Sequence, residues 1–429
     1  LRLFYHLLLT TVAVPALPLL LPLILTTGKR RRTVLGRSGL RPEIPPPAPG
    51  ERRIWIHALS VGEVLSIAPL VTAFRRRHPR EPVVFTASTL TGLAMARERI
   101  GPHVDGVGLF PYDLILSVRR VANRVGPRMV IMAETDLWPG FLHEMDRRGV
   151  PVVLVNGRLS DRSFSGYRRF RSFFGPLFSR FKRVCAQSAE DARRFRKLGT
   201  PADRVRVTGN LKFDQPRPDA SPAALDDLRG SLGLPSDRRI LVAGSTHPGE
   251  EALLAAALQT LRRSFPDLLC IVAPRHPGRA GEVAAIFREK GLSLGRLSAG
   301  GGGPDGLVVD RMGLLARLYG LAQVAFVGGS LIPFGGHNPL EPAALARPVI
   351  FGPHMHAFRE ISERLLAAGG ALRVTDVRSL AEAVAGLLED PRRAARIGRQ
   401  GRAVVEAHQG AVERTLGVIE DLFEAGRGP

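Results

Sequence analysis

From Arg52 onward the chain alternates short apolar runs with longer stretches of helical periodicity, and this alternation narrows the fold more than any other feature. In the first half the runs are RRIWIHAL, PVVFTA, DGVGLF, RMVIMA, PVVLVN and RVCAQ, each followed by a polar turn and a helix-like stretch. Strands that alternate with helices in this way build a parallel sheet. Residues 211–222, LKFDQPRPDASP, interrupt the pattern with prolines and polar side chains, which places a domain linker there. A second series follows: RRILVAG, DLLCIVAP, GLVVD, QVAFVGG and RPVIFG, with the three glycines at 301–303 marking a surface loop. Residues 376–425 read as helices. The expected architecture is α/β, with Rossmann-like domains at 51–215 and 223–405 facing a cleft, and a C-terminal helix at 406–429 placed to pack back on the first domain. A site is expected at strand C-terminal ends in that cleft.

A chain of 429 residues suits two domains, each able to bury its own core. Its two cysteines, Cys185 and Cys270, are far apart, which argues against a disulfide scaffold or a zinc cluster. Residues 3–28 carry no Asp, Glu, Lys or Arg, enough apolar chain for a membrane anchor over 1–28, although Pro15, Pro18 and Pro22 interrupt it. The rival reading, a cleaved signal peptide, has little charge before the apolar run and no clear small-residue cleavage site after it. Lys29-Arg30-Arg31-Arg32 follows, and the positive-inside rule then keeps the remaining chain on the cytoplasmic side. Residues 29–50 are basic and Pro-rich and are expected to act as a semi-stiff linker.

The net charge is +22, a field that attracts polyanions, although arginine in such excess over lysine also fits codon composition alone. Aromatics are only 6%, with no interleaving of basic and aromatic residues to stack single-stranded bases. With the anchor, this favours an anionic membrane surface or anionic lipid over nucleic acid.

The polar turns carry the chemistry. After the first run, Ser60-Val61-Gly62-Glu63 puts a carboxylate at a helix start, with Gly62 allowing a sharp turn. Glu63 either takes a proton from an attacking hydroxyl or complements the helix dipole. Thr89-Leu90-Thr91-Gly92 either binds a sugar or phosphate or caps the next helix. Glu134 and Asp136 stand two apart before Pro139, with no His or third acid at ligand spacing, so no metal is expected. In the second half, Ser245 and Thr246 open GSTHPGEE, a strand-to-helix turn that is not a Walker loop. Arg275 and His276 follow another strand as a phosphate grip or a solvated surface pair. Gly328-Gly329-Ser330 leads into Gly335-Gly336-His337-Asn338-Pro339-Leu340-Glu341-Pro342, where glycines permit close approach to a ligand. Asn338-Pro339 suits a helix start, and Glu341 is placed to reach a ribose diol.

In this order the motifs are similar to those of the 3-deoxy-D-manno-octulosonic acid (Kdo) transferases of lipopolysaccharide synthesis. The resemblance spans nearly the whole chain: the N-terminal apolar segment, HALSVGE at 57–63, TLTG at 89–92, ETDLWP at 134–139, NGRLSDRS at 156–163, TGNLKFD at 208–214, GSTHPGEE at 244–251, PRHP at 274–277 and GGHNPLEP at 335–342. It implies a glycosyltransferase B-type fold, a CMP-Kdo donor, an acylated, phosphorylated lipid A precursor as acceptor, inversion, and no metal or other cofactor. It implies Glu63 as general base and Glu134 as a second acid of the active-site region. Donor-binding residues are then Ser245, Thr246, Arg275, His276, Gly335, Gly336, His337, Asn338 and Glu341. Ser60, Gly62, Thr89, Thr91, Gly92 and Lys212 belong to the acceptor side or the cleft. The chain departs from the family where Asp136 replaces a frequent Glu and Gly157 a frequent Ala, which leaves the roles of these two positions open.

Overall fold

The computed structural model describes residues 27–425, so the apolar segment expected as an anchor lies, up to residue 26, outside the described residues. The first sheet contains β1 (Arg53–Ala58), β2 (Val83–Ala87), β3 (Gly106–Leu109), β4 (Pro127–Ala133), β5 (Val152–Gly157), β6 (Arg183–Ala186) and β7 (Val205–Val207), in the order β3-β2-β1-β4-β5-β6-β7. The second contains β8 (Arg239–Thr246), β9 (Leu268–Pro274), β10 (Leu294–Arg296), β11 (Gly306–Val308), β12 (Val324–Val327), β13 (Val349–Phe351) and β14 (Ala371–Arg373), in the order β10-β11-β9-β8-β12-β13-β14. Every named pairing in both sheets is parallel. The central strands are largely apolar because helices cover both faces. All of β1, β2 and β9 is buried.

Three strands are absent from the sequence expectation: β7, β10 and β14, each of three residues and each at a sheet edge. An edge strand half-facing solvent needs neither length nor a continuous apolar run, so VRV, LGR and ALR leave no periodic signal.

The chain divides into two compact units. One runs to Gln215 and takes the chain back from Gln409; the other is Pro216–His408. In the first unit, the helix Ala411–Ala425 buries Leu416, Ile419 and Phe423 in one cluster with Ile67, Leu70 and Phe74 of the helix Val61–Arg77. Asp214 anchors its start, accepting from Gly410 N at 2.8 Å and Val412 N at 2.6 Å.

The segment 29–50 is not a stand-off linker. Gly28–Arg37 is helical. Farther on, Ile44 is buried in the core, and the carbonyls of Pro45 and Pro46 each accept from the Arg53 guanidinium at 2.8 Å. The prolines supply acceptors that need no N–H of their own, so a stretch that looks extended and exposed is strapped onto the first sheet.

Candidate active site

In each unit the strand order reverses beside the first strand of the series, where β1 has β2 on one side and β4 on the other, and β8 has β9 and β12. Loops leaving such neighbours diverge to opposite faces of the sheet and open a crevice at the strand C-termini. The motif-bearing turns follow these strands.

In the first unit, Ser60 caps the helix Val61–Arg77, its hydroxyl accepting from Glu63 N at 3.4 Å. Glu63 reaches back: one carboxylate oxygen accepts from Leu59 N at 2.7 Å and the other from Ser60 Oγ at 3.2 Å. The arrangement resembles a capping box, and it fixes the carboxylate at the helix start. Burial, with Glu134 and Asp136 nearby, pushes Glu63 well above the usual carboxylate range. Asp136 is raised likewise, by burial and by Glu134. Three acids from two distant parts of the chain therefore share one poorly hydrated space, and Glu63 and Asp136 keep protons into the neutral range. Glu134 adopts φ +55° and Asn156, at the end of the neighbouring β5, φ +54°. Left-handed backbone at two non-glycine residues beside a cluster of acids is the kind of strain that functional sites store.

Several expected positions have different local roles. Gly62 is not a turn residue: it lies within the helix, and a Cβ there would approach only Ser60 Oγ, at 3.9 Å. Thr89 caps the helix Leu90–Arg99 through Gly92 N at 3.0 Å, and Thr91 contacts its hydroxyl at 3.4 Å. Gly92 lets that helix start pack tightly, since a Cβ there would lie 2.8 Å from Thr89 Oγ1 and 3.5 Å from Leu59 O. Lys212 sits half-buried in the 3-10 turn Leu211–Asp214, which begins where Leu211 N donates to Asn156 Oδ1 at 3.1 Å.

In the second unit, Ser245 takes φ +58° at a bulge in β8, and the buried Thr246 hydroxyl has no hydrogen-bond partner among the described residues. Arg275 N donates to Thr246 O at 3.0 Å, joining the ends of β8 and β9. His247 and His337 meet through their Nε2 atoms at 2.8 Å, which ties the turn after β8 to the loop after β12. Burial and mutual repulsion with His276 and Arg275 push both imidazoles down to about 4. Phe334, 53% exposed, lies over His247 with ring centroids 3.7 Å apart. Arg275 has no carboxylate partner among the described residues, which leaves one guanidinium and three imidazoles converging without a counter-ion. Such a group suits a phosphate.

The glycine-rich segment serves the protein itself more than expected. Gly335 N and Gly336 N both donate to Gly329 O, at 3.2 and 2.8 Å, so neither amide points to a ligand. A Cβ at Gly336 would lie 2.3 Å from Met355 Sδ and one at Gly335 2.8 Å from His356 Nε2. The helix after Asn338-Pro339, Leu340–Ala344, has only five residues, too short for the strong positive end the sequence promised. Asn338 Oδ1 accepts from Leu340 N at 3.1 Å, and the Asn338 amide donates to Glu341 Oε1 at 3.4 Å. Burial raises Glu341 to about 7.

Two residues that the motif reading quoted without assigning a role prove central. Glu250 is fully buried and accepts from Gly329 N, Ser330 N and Leu331 N at 2.7, 3.0 and 3.0 Å. His247 contributes half of the imidazole pair. Their only sequence signal is membership of GSTHPGEE, since their partners lie some eighty to ninety residues away.

A family model described as 3-Deoxy-D-manno-octulosonic-acid transferase (kdotransferase) matches residues 30–215. The 3-deoxy-D-manno-octulosonic acid transferase of Bordetella pertussis is 36% identical over 397 residues, 90% of this chain and 90% of its own length. The chain belongs to the Kdo transferase family. The Haemophilus influenzae Kdo transferase is 35% identical over 384 residues, covering 89% of this chain and 88% of that protein. A solved UDP-N-acetylglucosamine 2-epimerase, 14% identical, superposes with a TM-score of 0.60 over 88% of this chain and 97% of its own. At that identity the match establishes the fold alone: two parallel α/β units of the glycosyltransferase B type.

In this Kdo transferase the lowered imidazoles give a testable signature. A phosphodiester bound beside them, which does not itself titrate at about pH 5–6, would favour the imidazolium form, so its binding in that window should take up protons, and affinity should rise as pH falls. Calorimetry in two buffers of different ionisation enthalpy measures the uptake. Zero uptake would show that the phosphate sits away from His247 and His337.

Proposed function

We propose that the chain transfers Kdo from CMP-Kdo to an acylated, phosphorylated glucosamine disaccharide, the lipid A precursor lipid IVA. The observation that carries the reading of the second unit is Arg275, without a carboxylate partner among the described residues, beside the imidazoles of His247, His276 and His337 at the strand ends. It supports a nucleotide-phosphate site in 223–405, with Ser245, Thr246, Asn338 and Glu341 around the donor. Gly335 and Gly336 contribute by shaping the loop that carries His337. The first unit, 51–215, takes the acceptor, with Ser60, Thr89, Thr91, Gly92 and Lys212 on the acceptor side. Glu63 accepts the proton of the acceptor hydroxyl as its oxygen bonds to the anomeric carbon. The bond to the CMP phosphate breaks on the opposite face, and the configuration inverts. Glu134, a second acid beside Glu63, raises its proton affinity. Arg275 stabilises the charge that develops on the departing phosphate. No metal or other cofactor enters this scheme.

We further propose that the enzyme works at the cytoplasmic face of the inner membrane, anchored through residues 1–28. Among the described residues no helix is long and apolar enough to cross a membrane. Two features support an anionic membrane surface, rather than nucleic acid, as the partner of the positive charge. Arg30, Arg31 and Arg32 are exposed on the helix Gly28–Arg37. The helices Asp161–Arg169 and Arg171–Phe178 expose Arg162, Arg168, Arg169 and Arg171 around Phe170, which is 57% exposed. Guanidinium groups around an exposed aromatic suit a headgroup layer.

CMP should raise the melting temperature of the second unit, and UDP should not. Protection by UDP alone would move the assignment to a UDP-sugar transferase or epimerase of the same fold. Mass spectrometry of lipid IVA incubated with the protein and a CMP-Kdo source should show discrete Kdo additions.

A further inference from the structure

Two neighbouring glutamates at the start of the helix Glu250–Ser264 turn to different loops. Glu250 holds residues 329–331, on the way to His337. Glu251 is as fully buried, and its carboxylate meets the Arg279 guanidinium, with Nη1 donating to Oε1 at 2.8 Å and Nη2 to Oε2 at 3.4 Å. A carboxylate so buried needs a partner, and the guanidinium fork fits it. Arg279 closes the 3-10 turn Pro277–Arg279, directly after Arg275 and His276.

Residues 275–279 are all that joins the end of β9 at Pro274 to the helix Ala280–Glu289. The stretch is pinned at both ends. Arg275 N donates to Thr246 O at 3.0 Å, and at the far end the Arg279 side chain reaches Glu251, so both pins land on the segment 246–251. Arg279 N donates to His276 O at 3.0 Å and closes the turn between them. His276 is exposed there, its ring 6.4 Å from that of His247.

Arg279 is not itself placed as a phosphate ligand. Its other edge donates to Glu282, Nε to Oε2 at 3.1 Å and Nη2 to Oε1 at 2.6 Å, so two carboxylates offset its charge, whereas Arg275 has none among the described residues. The two contacts differ in reach. Glu282 is three residues from Arg279 and fixes only the local chain, while Glu251 is 28 residues away, on the helix that follows β8. Arg279 also adds to the repulsion on His247, behind burial, His276 and Arg275, which puts it at the rim of the same group.

We propose that Glu251, acting through Arg279, is a positioning residue of the donor site: it holds the 275–279 loop with Arg275 and His276 presented to the phosphate, as Glu250 holds the loop that carries His337. A grip fixed before the ligand arrives loses less freedom on binding. The role in binding rests on the CMP-Kdo reading of this unit; the anchoring of the loop does not.

Glu251→Gln and Glu282→Gln each remove one negative charge beside the same guanidinium, and only the first weakens the tie to the 246–251 segment. Charge alone would make both variants bind a phosphate more tightly. Positioning predicts the opposite for Glu251→Gln, a fall in CMP affinity of about three- to tenfold by calorimetry on the full chain, with Glu282→Gln no weaker than the wild type. Hydrogen exchange without ligand should be several-fold faster over 275–280 in Glu251→Gln and unchanged over 328–337. Affinity that is unchanged or higher in Glu251→Gln, an equal fall in Glu282→Gln, or loosening of both loops alike would each overturn the proposal. If Glu251→Gln fails to fold by circular dichroism, Arg279→Lys keeps a positive charge for the buried carboxylate without the fork, and it should show the same fall in affinity and the same exchange pattern. A wild-type protein that binds no CMP would refute the functional reading, and the exchange pattern would still decide the anchoring.

Discussion

Glu63→Gln is expected to lower turnover by about 10²–10⁴-fold, the usual range for removing a positioned general base. CMP binding should persist, because the residues proposed for it lie in the other unit. The substitution is nearly isosteric, and the amide oxygen can still accept from Leu59 N, the shorter of the two contacts at 2.7 Å. The helix start should therefore survive. Stability should move in the opposite sense to activity. Burial raises Glu63 above its unfolded value, so the protonated group contributes stability that is fully present below the ordinary carboxylate range and is lost as pH rises through the raised value. Glutamine never ionises, so the variant should melt above the wild type at about pH 9 and close to it near pH 4. Steady-state rates with lipid IVA and thermal melts at both pH values check the pair of expectations. Near-normal turnover would remove Glu63 from the mechanism.

Glu250→Ala is expected to be the most damaging single change to the second unit. Three backbone N–H groups, of Gly329, Ser330 and Leu331, converge on its buried carboxylate. Truncation leaves all three without an acceptor in a space closed to solvent, a loss of about 3–5 kcal/mol by the usual cost of orphaning buried polar partners. Gly328 shows how closely the loop wraps this carboxylate: a Cβ there would stand 2.8 Å from Glu250 Oε2 and 2.6 Å from Ser245 O. The same loop leads to His337, so CMP affinity should fall together with stability. Glu250→Gln should be intermediate, because one oxygen still accepts from Ser330 N and Leu331 N while the new NH2 opposes Gly329 N. Urea unfolding of the three proteins, with CMP titration of those that remain folded, measures both effects. An Ala variant as stable as the wild type would show that the loop is held by other contacts.

Much of this molecule was legible in its sequence, and the parts that were not share a cause. Two βα series and a break near Gln215 follow from apolar runs and prolines, which are local signals. The edge strands β7, β10 and β14 escaped because three half-exposed residues carry no period. The prolines at 45 and 46 read as a spacer because nothing local announces that their carbonyls meet Arg53. Gly335 and Gly336 read as room for a ligand. In the fold that room is occupied by His356 and Met355, and the two amides close on Gly329 O.

The sequence by itself determined the class of fold, through the alternation of strand and helix, and the order of motifs that places the chain among Kdo transferases. It also put Glu63, Glu134, Arg275 and His337 in turns that follow strands. Tertiary structure alone decided which of these groups meet and in what protonation state. Glu63 joins Glu134 and Asp136, and His247 pairs with His337. Charge and proton affinity depend on desolvation and on neighbours brought together from distant parts of the chain. A parallel sheet with crossover helices creates those neighbourhoods only when the strands are laid side by side.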